Sequence, residues 1–187
     1  VYLFCAFINM LANAGTVNTV DGLDINRVEL LGNNELQLSQ GDETSMQYRS
    51  KKDNTKRPPF SVHGKTLRLG VDEKGNRVNQ VKYKVTVTEL ESLLVKGSGE
   101  AYIRPLDMED LVIALHGSGA VRAYEIKANK LELKLDGSGN IQAEAVEAKT
   151  ALLHLKGSGD LQLGSLNADK VTTNLDGSGD IDIDEEG

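Results

Sequence analysis

Residues 131–143 read Leu131-Glu-Leu-Lys-Leu135-Asp136-Gly137-Ser138-Gly139-Asn140-Ile141-Gln142-Ala143. Leu131, Leu133 and Leu135 alternate with polar residues, which is the period of a half-buried β-strand. A glycine-bracketed corner follows, and Ile141 and Ala143 resume the alternation. The same phrase recurs. Gly-Ser-Gly stands at residues 97–99, 117–119, 137–139, 157–159 and 177–179, each copy 20 residues after the last. A fixed period of that length is the signature of stacked repeats.

Superposing the copies defines three apolar ladders. The first precedes the triplet: Leu111/Ile113/Leu115, Leu131/Leu133/Leu135, Ala151/Leu153/Leu155 and Val171/Leu175, with Thr173 breaking the last. The second follows it: Ala101/Ile103, Val121/Ala123, Ile141/Ala143, Leu161/Leu163 and Ile181/Ile183. The third comprises Leu106/Met108, Ile126/Ala128, Val146/Ala148 and Leu166/Ala168. A full rung thus turns about seven side chains inward, and glycine supplies the corner's backbone angles. Rungs stacked at about 4.8 Å place five triplets over about 19 Å of axis. The expected fold is all-β: a single-domain parallel β-solenoid with 20-residue rungs. The alternative is an antiparallel β-hairpin meander, because Asp136-Gly137 between alternating runs is also a hairpin signal. The exact period and the third ladder favour a complete coil.

Residues 25–96 are expected to form a less regular β part that caps the solenoid of residues 97–187. Candidate strands are Arg27–Leu31, Glu35–Ser39, Ser45–Arg49, Thr66–Leu69 and Val81–Val87. Turn signals separate them at Gly32-Asn33-Asn34, Gln40-Gly41-Asp42 and Lys74-Gly75-Asn76. Residues 51–60 and 72–80 are expected to be exposed loops, and no amphipathic helix is expected.

Composition agrees with this architecture. Aromatics make up 4 %, there is no Trp, and glycine (19) far outnumbers proline (3), so the core is built from small aliphatic layers. The net charge of −7 is uneven: 13 basic and 11 acidic residues lie in 1–96, against 8 and 17 in 97–187. The acidic half argues against nucleic acid and anionic lipid as partners. The one basic cluster, Lys51, Lys52, Lys56 and Arg57, reads as a solvated loop.

Residues 1–14 (VYLFCAFINMLANA) are apolar, uncharged and too short to span a bilayer. They fit the remnant of a secretory signal with an Ala12-Asn13-Ala14 cleavage site. The mature chain, residues 15–187, is then expected to begin near Gly15, without a membrane span. Phe4 before Cys5 argues against a lipoprotein signal, and an alternative reads the run as a buried first strand. The expected location is extracytoplasmic: periplasm, outer membrane or cell surface.

At this point the chain resembles the auto-transporter adhesin head, or GIN domain, family (DUF2807). The matching features are Glu35–Asp42 (ELQLSQGD), Lys65-Thr66-Leu67-Arg68-Leu69, Lys82–Val87 and the repeated strand, Gly-Ser-Gly, strand units, over roughly residues 25–184. The resemblance implies a bacterial cell-envelope protein with a right-handed parallel β-helix-like fold. It brings no catalytic residues.

The candidate chemistries are weak. Asp136, Asp160, Asp176 and Asp180 flank the triplets, and Asp182, Asp184 and Glu185 follow, which suggests calcium. But Lys96, His116 and Lys156 occupy the flanking position in other rungs, and no calcium-loop motif is present. Arg104, Arg122, Lys134 and Lys149 are scattered, and the exact period leaves no insertion to house a catalytic cleft. The triplet serines lack a strand-to-helix elbow. His116 and His154 read as exposed strand residues, and Thr172-Thr173 is too little for an ice-binding face. One cysteine and three histidines do not make a zinc site. No catalytic, cofactor-binding or metal residue is assigned, and no cofactor is expected.

The expected function is a non-enzymatic, adhesin-like interaction module of the cell envelope, whose partner is an envelope protein or a glycan. The alternatives are a purely structural or stress-related envelope protein, or a glycan-active β-helix enzyme. Tyr102 and Tyr124 lie on adjacent rungs offset by two positions, too few aromatics to name a sugar site. Self-association through the unpaired end strands is conceivable, although the acidic stretch Asp180–Glu186 should discourage end-to-end growth.

Overall fold

A computed structural model describes residues 17–50 and 57–184. The expected signal remnant 1–14, Cys5 and the Lys51, Lys52 and Lys56 cluster lie outside the described residues. The strands are β1 (Val17–Asp21), β2 (Arg27–Gly32), β3 (Glu35–Gln40), β4 (Ser45–Ser50), β5 (Phe60–His63), β6 (Thr66–Leu69), β7 (Val81–Val87) and β8 (Ser92–Gly97). They continue as β9 (Glu100–Ile103), β10 (Leu106–Gly117), β11 (Ala120–Gly137), β12 (Asn140–Gly157), β13 (Asp160–Leu163), β14 (Leu166–Gly177) and β15 (Asp180–Ile183). No described residue is helical, so no helix is long and apolar enough to cross a membrane.

The repeat half is a parallel stack. β10 pairs with β11, β11 with β12 and β12 with β14, each in a 20-residue register: Leu111 with Leu131, Leu131 with Ala151, Ala151 with Val171. β9, β11, β12, β13 and β15 continue the second ladder in the same register. The antiparallel meander is therefore excluded for this half: the Asp-Gly corners feed rungs and do not close hairpins. The inward positions are buried as their alternation requires. Leu111, Leu115, Leu131, Leu133, Leu153, Leu155, Leu161 and Leu163 are at most 1 % exposed. No rung can bury this stripe alone, so stability is shared between neighbours along the axis.

The corner explains both glycines of each triplet. Gly97, Gly117, Gly137, Gly157 and Gly177 have φ between +118° and +138°, where a side chain is strained. Gly119, Gly139, Gly159 and Gly179 are needed for a different reason. A Cβ on any of them would overlap the carbonyl oxygen of the glycine one rung earlier. The corner is also a hydrogen-bond ladder. Ser118 and Gly119 both donate to Gly97 O at 3.0 Å, and Ser138 and Gly139 repeat this on Gly117 O.

The N-terminal strands join the same stack out of sequence order. β2 pairs in parallel with β8, Gly32 opposite Gly97, and β3 pairs in parallel with β9. Gly32-Asn33-Asn34 thus stands where later rungs carry Gly-Ser-Gly. β6 and β7 stack on the other side of β2 and β3, with Gly70 at their corner. Antiparallel strands close this end: β5 on β6, and β4 then β1 on β7. Tyr48, Phe60 and Tyr83 pack ring against ring beneath them. Two expected loops are partly structured. Phe60 opens β5 and Pro59 is buried, because Pro59 O accepts from the Tyr83 hydroxyl (2.5 Å) and from Gly70 N (3.0 Å). Asp72 is buried at the head of a tight turn, its Oδ1 accepting from Lys74 N and Asn76 N.

Candidate functional site: a tyrosine–arginine face

Strands β7, β3, β9, β11, β12, β13 and β15 form one continuous sheet whose outward positions line up in rows. One row runs Lys82, Glu35, Glu100, Ala120, Asn140, Asp160, Asp180. The next runs Lys84, Gln37, Tyr102, Arg122, Gln142, Gln162, Asp182. This face passes from cationic at its N-terminal end to carboxylate-bearing at its C-terminal end.

At its middle, the 20-residue period crosses two tyrosines with two arginines. Tyr102 faces Arg122, whose guanidinium carbon lies 5.8 Å from the ring centre and whose Nη1 donates to the tyrosine hydroxyl at 3.3 Å. Two residues along the same rungs the identities exchange: the Arg104 guanidinium lies 5.2 Å from the centre of the Tyr124 ring. Each pair is a cation–π contact. Tyr124 keeps 45 % of its surface exposed, large for an aromatic residue in a folded chain. The two-position offset of the tyrosines is thus the geometry of a four-residue cluster.

Its neighbours are fixed. The Tyr102 hydroxyl donates to Glu100 Oε2 at 2.6 Å, and that hydrogen bond to a carboxylate holds the phenol above its ordinary range. Lys82 lies 2.7 Å from Glu35 Oε2, which raises the lysine. These contacts engage Glu100 and Glu35 within the face. The donors of Arg104 and Arg122, the exposed Tyr124 and the amides of Gln37 and Gln142 remain at the surface, bordered by Lys84 and Glu144. The set can stack on a flat ring and offers guanidinium forks matched to carboxylates.

A second concave surface runs along the third ladder's outer side, past Gln40, Asp107, Glu109, Lys127, Glu147 and Lys149. Its charged lining is mainly acidic, and Lys127 is tied up by glutamates. Lys127 sits 3.4 Å from Glu147 and 3.5 Å from Glu125, which raises its pKa, Glu147 first. Asn129 donates to Glu109, and Gln40 Oε1 accepts from Asp107 N at 2.8 Å.

The other candidates are dispersed. Lys96, His116, Asp136, Lys156 and Asp176 form one column in register, so its two carboxylates are separated by Lys156 and preceded by a cation and an imidazole. Among the described residues no group of three or more His, Cys, Asp or Glu is placed to hold a metal. The triplet serines line an exposed ridge, and His154 Nε2 lies 3.5 Å from Glu132 Oε1. Arg104 and Arg122, scattered in sequence, are the candidates the fold brings together. The signal was available: subtracting 20 from Arg122 and Tyr124 gives Tyr102 and Arg104.

Residues 24–187 match the family described as "putative auto-transporter adhesin, head GIN domain" (DUF2807). The chain belongs to that family. No protein of curated function matches it. Among solved structures, it is similar to one titled a putative lipid binding protein from Parabacteroides distasonis, at 18 % identity and a TM-score of 0.65, over 92 % of this chain and 96 % of that one. It is also similar to a putative adhesin from Bacteroides fragilis (16 % identity, TM-score 0.52, 90 % and 97 % covered). A putative adhesin from P. distasonis matches at 14 % identity and a TM-score of 0.53, over 91 % and 96 %. At these identities the likeness is one of fold. The GIN-domain family, by its description, points to an adhesin-like role and a surface or extracytoplasmic setting.

Proposed function

We propose that this GIN-domain chain is a non-catalytic, extracytoplasmic binding module that holds an anionic glycan on its tyrosine–arginine face. The crossed pairing of Tyr102 with Arg122 and of Arg104 with Tyr124 carries the reading. Rungs at about 4.8 Å present these groups at a spacing close to the length of one pyranose unit. Tyrosine faces suit sugar rings, and guanidinium groups suit uronate carboxylates. The repeat half is acidic overall, but on this face Glu35 is paired with Lys82 and Glu100 with the Tyr102 hydroxyl, which leaves the two guanidinium groups to meet the ligand. The face is flat and built on paired strands, so it binds without rearranging and retains its shape on release. The groove beside the third ladder is a weaker candidate, because its charged lining is mainly acidic and Lys127 is already held between Glu125 and Glu147.

The test is equilibrium binding of the chain to polygalacturonate, alginate and neutral dextran. The expected result is binding to the two polyuronates and not to dextran. Arg104→Ala and Arg122→Ala should each weaken it by about tenfold, the scale of one lost charged hydrogen bond. Lys149→Ala, in the groove, should leave it unchanged. Equal binding of all three polymers, or indifference to both arginine variants, contradicts the proposal. Turnover of either polyuronate contradicts its non-catalytic part.

A further inference from the structure

Among the described residues, the C-terminal end of the stack is open. β14 pairs only with β12, and β15 only with β13, so the outer edge of each lacks a strand partner there. The consequence shows on β14: Val171 is 42 % and Leu175 49 % exposed, where their counterparts Leu131 and Leu135 are buried. Thr173 occupies the central inward position that Ile113, Leu133 and Leu153 fill in earlier rungs. An unpaired edge beside an exposed apolar stripe is a template for another strand.

The sequence of that edge is complementary to itself. Lys170-Val171-Thr172-Thr173-Asn174-Leu175-Asp176 can be laid antiparallel on a second copy with Thr173 on the two-fold axis. Lys170 then meets Asp176, Val171 meets Leu175, Thr172 meets Asn174 and Thr173 meets Thr173. In an antiparallel pair, residues directly opposite project on the same side. The inward set 171, 173 and 175 therefore continues one core across the junction. The outward set forms two Lys–Asp pairs and two Thr–Asn pairs. Thr–Thr pairs and opposite charges are favourable cross-strand neighbours. Residues 130–136 share the self-matching, but both edges of that strand are occupied by β10 and β12.

We propose that the partner of this edge is a second copy of the chain, docked end to end through β14 with two-fold symmetry. A two-fold contact uses the same edge of both copies and closes, so it yields a dimer and no fibre. Asp180, Asp182 and Asp184 lie at the same end and resist close approach beside β15, which leaves β14 to carry the contact. The pair places two tyrosine–arginine faces on one particle.

Analytical ultracentrifugation of the chain over a wide concentration range tests this. The expected result is a monomer–dimer equilibrium with no larger species. Lys170→Asp should weaken the dimer by about tenfold or more, because it sets a carboxylate against Asp176 at both ends of the junction. The double variant Lys170→Asp/Asp176→Lys should restore it, since each pair is only reversed. Lys170→Asp is the informative single change, because Asp176 also neighbours Lys156 in the stack. Both positions are exposed, so all variants should melt like the parent under dilute conditions. A chain that stays monomeric at every concentration overturns the proposal, as does a dimer untouched by Lys170→Asp or not rescued by the reversal. Loss of glycan binding without loss of the dimer would contradict the proposed function alone.

Discussion

Arg122 stands one rung above Tyr102 and does two things to it: its guanidinium lies 5.8 Å from the ring centre and its Nη1 donates to the hydroxyl at 3.3 Å. Glu100 accepts from the same hydroxyl at 2.6 Å. The phenol is thus held between a carboxylate that raises its pKa and a guanidinium that lowers it, and the carboxylate dominates. Replacing Glu100 with Gln should therefore bring Tyr102 down towards the ordinary value of about 10. Replacing Arg122 with Ala should move it further up. NMR titration of the tyrosine ring signals checks both signs, and a shift in the same direction for both variants would contradict the geometry.

The triplet's third glycine is a packing requirement. Gly139→Ala would drive a methyl into Gly119 O and within 2.9 Å of Leu115 Cδ2. Neither can retreat, because Gly119 O accepts from Asn140 N in the corner ladder and Leu115 is fully buried. The cost should be about 3 kcal/mol or more by denaturant unfolding. Gly75→Ala is the control: its φ is +83°, but nothing lies within 4 Å of the added carbon. It should cost only the left-handed backbone penalty, about 1–2 kcal/mol.

Position along the axis should matter more than residue type. Leu133 is fully buried between rungs, and Leu133→Ala should cost about 2–5 kcal/mol. Leu175 occupies the first ladder of the last described rung but is half exposed. In dilute solution, where the chain is monomeric, Leu175→Ala should cost under about 1 kcal/mol.

At the closed end, the Tyr83 hydroxyl donates to Pro59 O at 2.5 Å and accepts from Gly70 N at 2.9 Å. Burial, the larger cause, pushes this phenol well above its ordinary range. Tyr83→Phe removes both bonds while keeping the ring. It should destabilise the chain by about 1–3 kcal/mol, the cost of buried polar groups losing their partner. Thermal unfolding checks it.

The Asp72 turn supplies a pH dependence. Hydrogen bonds from the Asn76 side chain, then from the Asn76 and Lys74 amides, hold this carboxyl below its ordinary range, against the opposing effect of burial. A depressed carboxylate stabilises fully above its unfolded pKa, about 3.9, and the contribution disappears as pH falls through the lower folded value. Amide exchange at Lys74 and Asn76 should therefore lose protection only as pH falls below the ordinary carboxylate value of about 3.9. In Asp72→Asn that step should be absent.

The repeat was legible because it is written in one dimension. A 20-residue period with inward positions at fixed offsets leaves register no freedom, so Leu131 could only lie on Leu111 and Ala151. The N-terminal half hid its stacking for a physical reason. Its rungs are not consecutive in space, and β2 takes β6 and β8 as neighbours, 39 and 65 residues away. Gly32-Asn33-Asn34 serves as a triplet without its letters. There the Asn34 amide donates to Leu31 O and Val78 O, and its Oδ1 accepts from Val81 N, tying three segments at one corner. β1 left no signal because it is a short antiparallel edge whose partner β4 lies far along the chain, whereas β5 is a four-residue arm that turns back on β6 across Gly64-Lys65, too short for its alternation to stand out. The tyrosine–arginine cluster was readable in principle, since register alone brings its members together. Its members on one rung stand 18 to 22 residues from those on the next and meet only through the 20-residue register.

The most direct measurement is the hydrogen-exchange footprint of polygalacturonate on the chain. Added protection is expected at residues 100–104, 120–124 and 140–144, lost in the Arg104→Ala/Arg122→Ala double variant. Protection confined to residues 107–110, 127–130 and 147–150 would place the glycan in the acidic groove, and with no protection anywhere the account of the binding face fails.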